Sequence, residues 1–177
     1  MEFAKVLANL GEFFEKHHAR FGVAGAMALH AYGITRATTD LDLVVERSVQ
    51  VALLIHLEGL GYERLHVSTG YSNHVHPIAS LGRVDFIYVD EPTAAALFSA
   101  AKQHELFPGQ TVAVFRPEHL AAMKALAMKD NPRRELQDLA DVQLLLGVPG
   151  VDRELIRQQF ERYGMKDKFD ELLEKIR

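Results

Sequence analysis

Cysteine is absent from the 177-residue sequence. The chain therefore has no disulfide, no thiolate nucleophile and no cysteine-based zinc site, which fits a reducing cytoplasm, where we expect the protein to reside. No stretch approaches the roughly 18 uninterrupted apolar residues of a membrane helix, and the N-terminus lacks the basic-then-apolar layout of a signal peptide. We therefore expect a soluble protein that does not act at a membrane. A net charge of -4 argues against a broad nucleic-acid surface but leaves a local basic groove open.

What is present is the composition of a globular protein, with 48% apolar and 25% charged residues. Apolar spacings of three and four predict helices over 2–18, from 25 to a break at 33, and over 48–60, 93–104, 117–129, 133–146, 152–162 and 166–176. Alternating or short apolar runs predict strands over 21–24, 38–46, 62–67, 73–79, 83–89 and 111–115.

Helices at both ends of the chain surround a central group of strands, which predicts the α+β class with helices on a central mixed sheet. We expect an α/β core over residues 1–116. A C-terminal helical region over 117–177 is expected to pack on it as part of one compact unit.

Asp40 and Asp42 share one face of the strand predicted over 38–46, whose other face is wholly apolar. Their Cα atoms should lie about 6.6 Å apart, near enough for their oxygens to converge on one divalent ion. Asp85 can join them if its strand lies alongside. Three carboxylates suit a two-metal phosphoryl-transfer site.

A non-functional interpretation of the same acids is a solvated strand edge, since an Asp-x-Asp pair arises by chance roughly once in two chains of this size. Against it, carboxylates about 5 Å apart repel one another by roughly 3 kcal/mol per pair at an effective dielectric of 20. Bound cations would remove that cost. The pair alone does not decide between the two.

Gly25 stands at a strand end just before a helix, where backbone amides can receive phosphate oxygens without obstruction by a Cβ atom. A simple tight turn is the alternative. Gly25 precedes Asp40 by one helix and one turn. The chain could therefore return to bring a phosphate cradle and metal ligands together.

Three segments of the N-terminal part combine these features, and two segments of the C-terminal part follow the same pattern. They are Val23-Ala24-Gly25-Ala26-Met27-Ala28, Arg36-Ala37-Thr38-Thr39-Asp40-Leu41-Asp42-Leu43, Arg83-Val84-Asp85-Phe86-Ile87, Arg116-Pro117-Glu118-His119-Leu120 leading to Lys124, and Gln137-Asp138-Leu139-Ala140-Asp141-Val142. Over about residues 20–146 the chain resembles the DNA polymerase beta-like nucleotidyltransferase superfamily. Specifically, it resembles the AbiEii-type nucleotidyltransferases often found as toxins in bacterial toxin-antitoxin pairs.

The resemblance implies a nucleotidyltransferase fold and a metal site for Mg²⁺ or Mn²⁺. Asp40 and Asp42 would bind the metal. Asp85 would complete the site and act as base toward the acceptor hydroxyl.

The nucleotide contacts follow from the same resemblance. Lys124 would contact the triphosphate, and Asp138 would support placement of the nucleotide or of the lysine. Ala26 stands where many relatives have Ser or Gly, so the cradle at Gly25 and Ala26 would rely on backbone amides. Arg36 either contacts phosphate or is a structural partner of the nearby aspartates.

The implied reaction moves a nucleoside monophosphate from a nucleoside triphosphate to an acceptor hydroxyl. Candidate acceptors are the 3′ end of tRNA, a protein hydroxyl or an antibiotic-like small molecule, and an antitoxin protein is an expected partner. One alternative is a weakly active or inactive binding module that acts through a partner protein. Ala26 favours it slightly, as does Gln137, which stands where a lysine is common. A metal-dependent phosphohydrolase using the same acids is a third option.

Other polar groups are better explained by structure than by chemistry. His74 and His76 share a strand face and could chelate zinc, but no third ligand is fixed by the sequence, so an exposed or hydrogen-bonded pair is favoured. The basic stretch of Lys129, Arg133 and Arg134 beyond Lys124 is either a solvated surface or a contact for triphosphate or RNA. Lys124 itself lies on a mostly covered helix and should have an anionic partner.

Overall fold

Two units make up the chain, Met1–Phe115 and a second that begins at Arg116. The computed structural model describes residues 1–176, and the side chains of residues 1–175. No helix in this described part is both long and apolar enough to cross a membrane.

The first unit contains a seven-stranded mixed sheet. Its strands are β1 (Phe21–Val23), β2 (Asp40–Glu46), β3 (Glu63–Val67), β4 (Tyr71–Val75), β5 (Arg83–Val89), β6 (Lys102–Phe107) and β7 (Gln110–Val114). Their order across the sheet is β3-β4-β5-β2-β1-β7-β6. The pairs β2/β5 and β1/β7 are parallel, and the other neighbours are antiparallel.

Helices precede and follow these strands. Those of the first unit are α1 (Phe3–Lys16), α2 (Gly25–Ala31), α3 (Gln50–Gly59) and α4 (Glu91–Ala100). Those of the second are α5 (Pro117–Asp130), α6 (Glu135–Leu146), α7 (Arg153–Arg162) and α8 (Lys166–Ile176), and short 3₁₀ turns precede α3 and α6. The predicted α+β class with a central mixed sheet is confirmed.

The central strands have one apolar and one polar face because their side chains alternate. In β2, Leu41 and Leu43 are fully buried while Asp40 and Asp42 are half-buried. In β5, the buried Val84 and Phe86 alternate with more exposed residues in the same way. α1 adds an apolar stripe to the core of this unit, formed by Val6, Leu7, Leu10, Phe13 and Phe14.

The helix predicted over 93–104 is wrong at both ends. It begins earlier, at Glu91, because the Asp90 side chain accepts a hydrogen bond from the backbone of Thr93 and so caps the helix. It ends at Ala100, and the next residues form β6, which was not predicted. β6 forms a hairpin with β7 around Gly109, so pairing with a neighbouring strand overrides the local helical pattern.

The strand predicted over 73–79 is shifted. β4 runs from Tyr71 to Val75, and Pro77 lies beyond its end, where a missing backbone N–H cannot interrupt the ladder.

Both edge strands are irregular. In β3 the register with β4 shifts between Arg64 and His66, and all five β3 residues are exposed. In β6 the register with β7 shifts between Glu105 and Phe107. Neither edge therefore presents a long regular ladder.

Candidate active site

The three aspartates predicted to bind metal meet on the polar face of the sheet. β2 and β5 pair in parallel with Asp42 directly opposite Asp85, and Asp40 lies two residues earlier on β2. One carboxylate oxygen from each residue lies within 4.8 Å of the others. At that separation each pair of charges repels by about 3 kcal/mol at an effective dielectric of 20. The expected adjacency of the two strands is present, and cations close to the cluster would reduce this repulsion.

Thr38 fixes the first of these carboxylates. Its hydroxyl donates a hydrogen bond to Asp40 Oδ1 and also lies 3.1 Å from the backbone oxygen of Asp40. The loop before β2 therefore orients Asp40 toward the cluster.

Arg83 is a cation inside the cluster that the sequence pattern did not single out. It lies two residues before Asp85 on the same strand face and opposite Asp40 in the register. Its Nε lies 2.9 Å from Asp85 Oδ1 and its Nη2 lies 2.9 Å from Asp85 Oδ2. These hydrogen bonds to Asp85, opposed by burial and reinforced by the charges of Asp85, Asp40 and Asp42, raise the pKa of Arg83 above its ordinary value. The signal available in the sequence was an opposite charge at the i, i+2 spacing of one strand face.

Gly25 contacts the second aspartate. Its φ is +54°, and a Cβ atom at this position would lie 1.8 Å from Asp42 Oδ2. The antiparallel pairing of β1 with β2 creates this approach, because Ala24 N donates to Asp42 O at 2.9 Å. Only glycine fits here, on grounds of both backbone angle and space. The expected return of the chain to bring Gly25 beside the acids is present.

Ala26 and Arg36 lie on either side of the next turn. Ala26 is only 1% exposed and belongs to the seven-residue helix α2. The amide cradle expected at Gly25 and Ala26 stays a prediction. The backbone oxygen of Arg36 is 2.8 Å from His30 Nε2, which fixes the loop leading to β2. The choice between phosphate and structural partner for the Arg36 side chain also stays open.

Lys124 and Asp138 belong to the second unit. Lys124 Nζ lies 2.9 Å from Asp138 Oδ1 and 2.6 Å from Asp141 Oδ2, and its side chain is 11% exposed. Arg134 Nε also contacts Asp138 Oδ2, at 3.2 Å. The anionic partner expected for Lys124 is thus present, and a second one, Asp141, was missed although it follows Asp138 by one helical turn. The predicted contact of Lys124 with a triphosphate stays a prediction.

The two histidines considered for zinc have other partners. His74 Nε2 lies 2.9 Å from the Ser72 hydroxyl, which in turn lies 2.7 Å from the Tyr88 hydroxyl, in the core. His76 Nε2 lies 3.0 Å from Leu60 O, and its Nδ1 accepts from Ile78 N. Among residues 1–175, the three aspartates are the group of acids or histidines with a geometry suited to a metal.

Solved structures share the fold. The chain aligns over its full length with the whole of the antibiotic-resistance factor ANT(2'')-Ia in solution, with a TM-score of 0.69 and 13% identity. Over 93% of this chain and 96% of the other, ANT(2'')-Ia in complex with adenylyl-2''-tobramycin gives a TM-score of 0.65 at 13% identity. The lincosamide antibiotic adenylyltransferase LnuA, bound to lincomycin, aligns with 81% of this chain over 96% of its own length. Its TM-score is 0.58 and its identity is 13%. The fold is that of nucleotidyltransferases, as the sequence predicted.

Sequence comparison adds the family. No curated protein matches the chain. Residues 56–176, more than half of the chain, match the family described as "Nucleotidyl transferase AbiEii toxin, Type IV TA system". The matched segment includes Asp85, Lys124 and Asp138, while Asp40 and Asp42 precede it. The chain therefore belongs to the AbiEii nucleotidyltransferase toxin family.

Proposed function

We propose that this protein transfers a nucleoside monophosphate from a nucleoside triphosphate to an acceptor hydroxyl, using the cluster of Asp40, Asp42 and Asp85. The observation that carries the proposal is the convergence of three carboxylates within 4.8 Å on two adjacent parallel strands. A structural role would not require three like charges at this spacing. The cost of their repulsion is offset when the site holds divalent cations, which can in turn bind a triphosphate.

The donor set fits hard divalent cations, since Mg²⁺ and Mn²⁺ prefer carboxylate oxygens. Asp40 and Asp42 would hold the metal, and Asp85 would complete the site. When bound, the ions supply neutralisation of the triphosphate charge and activation of the acceptor hydroxyl. The close approach of Gly25 to Asp42 keeps this side of the cluster free of side-chain atoms.

Asp85 has the second role, toward the acceptor. It takes the proton of the acceptor hydroxyl as the oxygen attacks the α-phosphorus. The new bond joins the acceptor oxygen to the α-phosphorus. The bond to the bridging oxygen breaks, and pyrophosphate leaves with its electron pair. Alignment of the attacking and leaving oxygens supplies much of the rate.

The test is nucleotide transfer by the full chain. Each α-labelled triphosphate is incubated with Mg²⁺ and, in separate reactions, total RNA, a protein extract or an aminoglycoside and lincosamide mixture. We expect label in one class of acceptor and none with Asp42→Asn. Equal labelling by Asp42→Asn would refute the proposal.

The labelled class identifies the acceptor. Label in RNA or protein would fit a toxin. Label in the antibiotic mixture would instead make an antibiotic the acceptor, which is the kind of acceptor that LnuA has by its name, lincosamide antibiotic adenylyltransferase.

The proposal also covers the Lys124–Asp138 pair, the place of action and the protein partner. We propose that Asp138 positions Lys124, because a buried lysine held by two carboxylates has a fixed location. We also propose that Lys124 contacts the triphosphate. We also propose a cytoplasmic site of action and an antitoxin as protein partner, in keeping with the toxin family to which the chain belongs.

The alternative is a binding module that has kept the fold and acts through a partner protein. The observation in its favour is that both oxygens of Asp85 already accept hydrogen bonds from Arg83. This alternative predicts weak or absent binding of Mg²⁺ and triphosphate in calorimetric titration. Tight binding of both would count against it.

A further inference from the structure

Arg83 brings a positive charge into the acid cluster and contacts both carboxylate oxygens of Asp85. Its Nε lies 2.9 Å and 3.1 Å from these two oxygens, and its Nη2 lies 2.9 Å from Oδ2. The Asp85 side chain is 14% exposed. A forked, charge-assisted arrangement of this kind is among the stronger polar contacts in proteins.

We propose that Arg83 is an internal counter-ion that occupies Asp85 in the metal-free protein and leaves it when a divalent cation binds. The inference rests on the proposed function, because it assumes that Asp85 belongs to a metal site. It assigns to Arg83 a regulatory role: the affinity of the site for metal includes the cost of separating Arg83 from Asp85.

Charge explains why the two cations compete. The cluster brings three carboxylates together, and Arg83 pairs with the one of Asp85. Because Arg83 contacts both oxygens of Asp85, a divalent cation that binds either oxygen would face the guanidinium charge at short range. Removing the positive charge leaves the cluster more negative and lowers the cost of metal binding.

Exposure explains why Arg83 can move. Its side chain is 44% exposed, so it can rotate toward solvent without opening the core. Lys124 offers the contrast, since its side chain is 11% exposed and two carboxylates hold it. Arg83 can therefore leave its carboxylate partner, whereas Lys124 is held in place.

The test is Mg²⁺ binding by the full-length protein without nucleotide, measured by calorimetry. The variants are Arg83→Ala, Arg83→Lys and the control Arg64→Ala. Arg64 is 42% exposed and pairs with Glu58 at 2.6 Å, so it matches Arg83 in exposure and in having an acidic partner. We expect Arg83→Ala to lower the Kd for Mg²⁺ about tenfold, which corresponds to a modest change in charge interaction. Arg83→Lys should fall between because it keeps the charge without the fork, and Arg64→Ala should match the wild type.

A second readout is independent of heat signals from metal binding. In a chelator, Arg83→Ala should melt at a lower temperature than the wild type, because Asp85 loses the ion pair with Arg83. Mg²⁺ should then raise the melting temperature of Arg83→Ala by more than it raises that of the wild type.

Unchanged or weaker Mg²⁺ affinity in Arg83→Ala would overturn the inference and would mean that Arg83 stays on Asp85 and helps to orient it. Failure of the wild type and of Arg83→Ala to bind Mg²⁺ at all would overturn both this inference and the proposed metal site. Tighter binding by Arg83→Ala, with no nucleotide transfer by any variant, would support the inference while refuting the proposed function.

Discussion

Gly25 and Gly33 both have left-handed backbone angles, with φ of 54° and 75°. They differ in what surrounds them, since a Cβ atom at 25 would collide with Asp42 whereas one at 33 would meet nothing within 4 Å. Substitution by alanine costs each position about 1 kcal/mol of backbone strain. Only the change at 25 also displaces a carboxylate.

We therefore expect Gly25→Ala to reduce nucleotide transfer by about 100-fold or more, because small misplacements in a positioned site have effects of this size. Gly33→Ala should keep activity close to that of the wild type while losing similar stability. Transfer rates and melting temperatures of the two variants check this. If both variants transfer nucleotide at similar rates, then the position of Asp42 does not matter for the chemistry.

His74 should make stability depend on pH. Burial lowers its pKa below the ordinary 6.5, and this effect is larger than the opposing charge of Asp85. As the pH falls, the unfolded chain therefore takes up a proton at His74 at a higher pH than the folded protein does. The stabilising contribution is complete above about pH 6.5 and is lost as the pH falls through 6.5 toward the folded pKa.

The free energy of unfolding should thus fall less steeply between about pH 7.5 and 5.5 in His74→Gln than in the wild type, because this window spans the unfolded pKa. Denaturant titrations across this range measure the slope. His66→Gln is the control, because His66 is exposed on β3, where it stacks on Tyr71. A wild-type slope retained in His74→Gln would show that another group carries the pH dependence.

At the scale of elements, the ion pairs of Lys124 link α5 to α6. Asp138 and Asp141 have side chains only 1% and 3% exposed. Lys124→Met would leave both carboxylates without this partner, and loss of one member of a buried pair costs about 3 to 5 kcal/mol. Arg134 still contacts Asp138, so we expect a value near the lower end.

The measurement is chemical denaturation, with Arg133→Met as the control because Arg133 is exposed on the turn before α6. A loss no greater than that of the control would mean that the pairs contribute little to the stability of this unit.

The elements also show where sequence was sufficient. The pattern of β2 predicted its apolar face correctly, and the run from Arg83 to Val89 predicted β5, because alternation and short apolar runs depend on local chemistry. β6 could not be found in this way. Lys102 to His104 fell inside the helix predicted over 93–104, and the strand form of β6 depends on pairing with β7 across the turn at Gly109.

The same limit applies to the candidate site. Asp40, Asp42 and Gly25 could be named because their spacing along the chain is informative. The pairing of Asp42 with Asp85 depends on strand order, which local pattern does not determine. Arg83 and Asp141 were missed as partners for a related reason, since the sequence does not show which oppositely charged side chain lies beside each of them in the fold.

At the scale of the whole molecule, metal binding should increase the free energy of unfolding of the protein. A ligand that binds only the folded state adds about 2.7 kcal/mol at a concentration about 100 times its Kd. We expect Mg²⁺ to raise the melting temperature of the wild type and a chelator to reverse the rise. Asp40→Asn combined with Asp42→Asn should remove the response.

Calorimetric scans of both proteins, with added NaCl of equal ionic strength as the control, measure this effect. The same rise in the double variant would mean that Mg²⁺ acts elsewhere on the protein.

The irregular edges of the sheet bear on how other chains can attach to it. A partner that extends a sheet needs a straight row of free backbone donors and acceptors. Here the register breaks beside Arg64 at one border and beside Glu105 at the other, and charged side chains stand at both breaks. Self-association into fibril-like stacks is disfavoured for the same reason. We therefore expect a partner protein to bind the first unit through its side chains and not by adding a strand to the sheet. Point substitutions on the contacted surface should then weaken the binding.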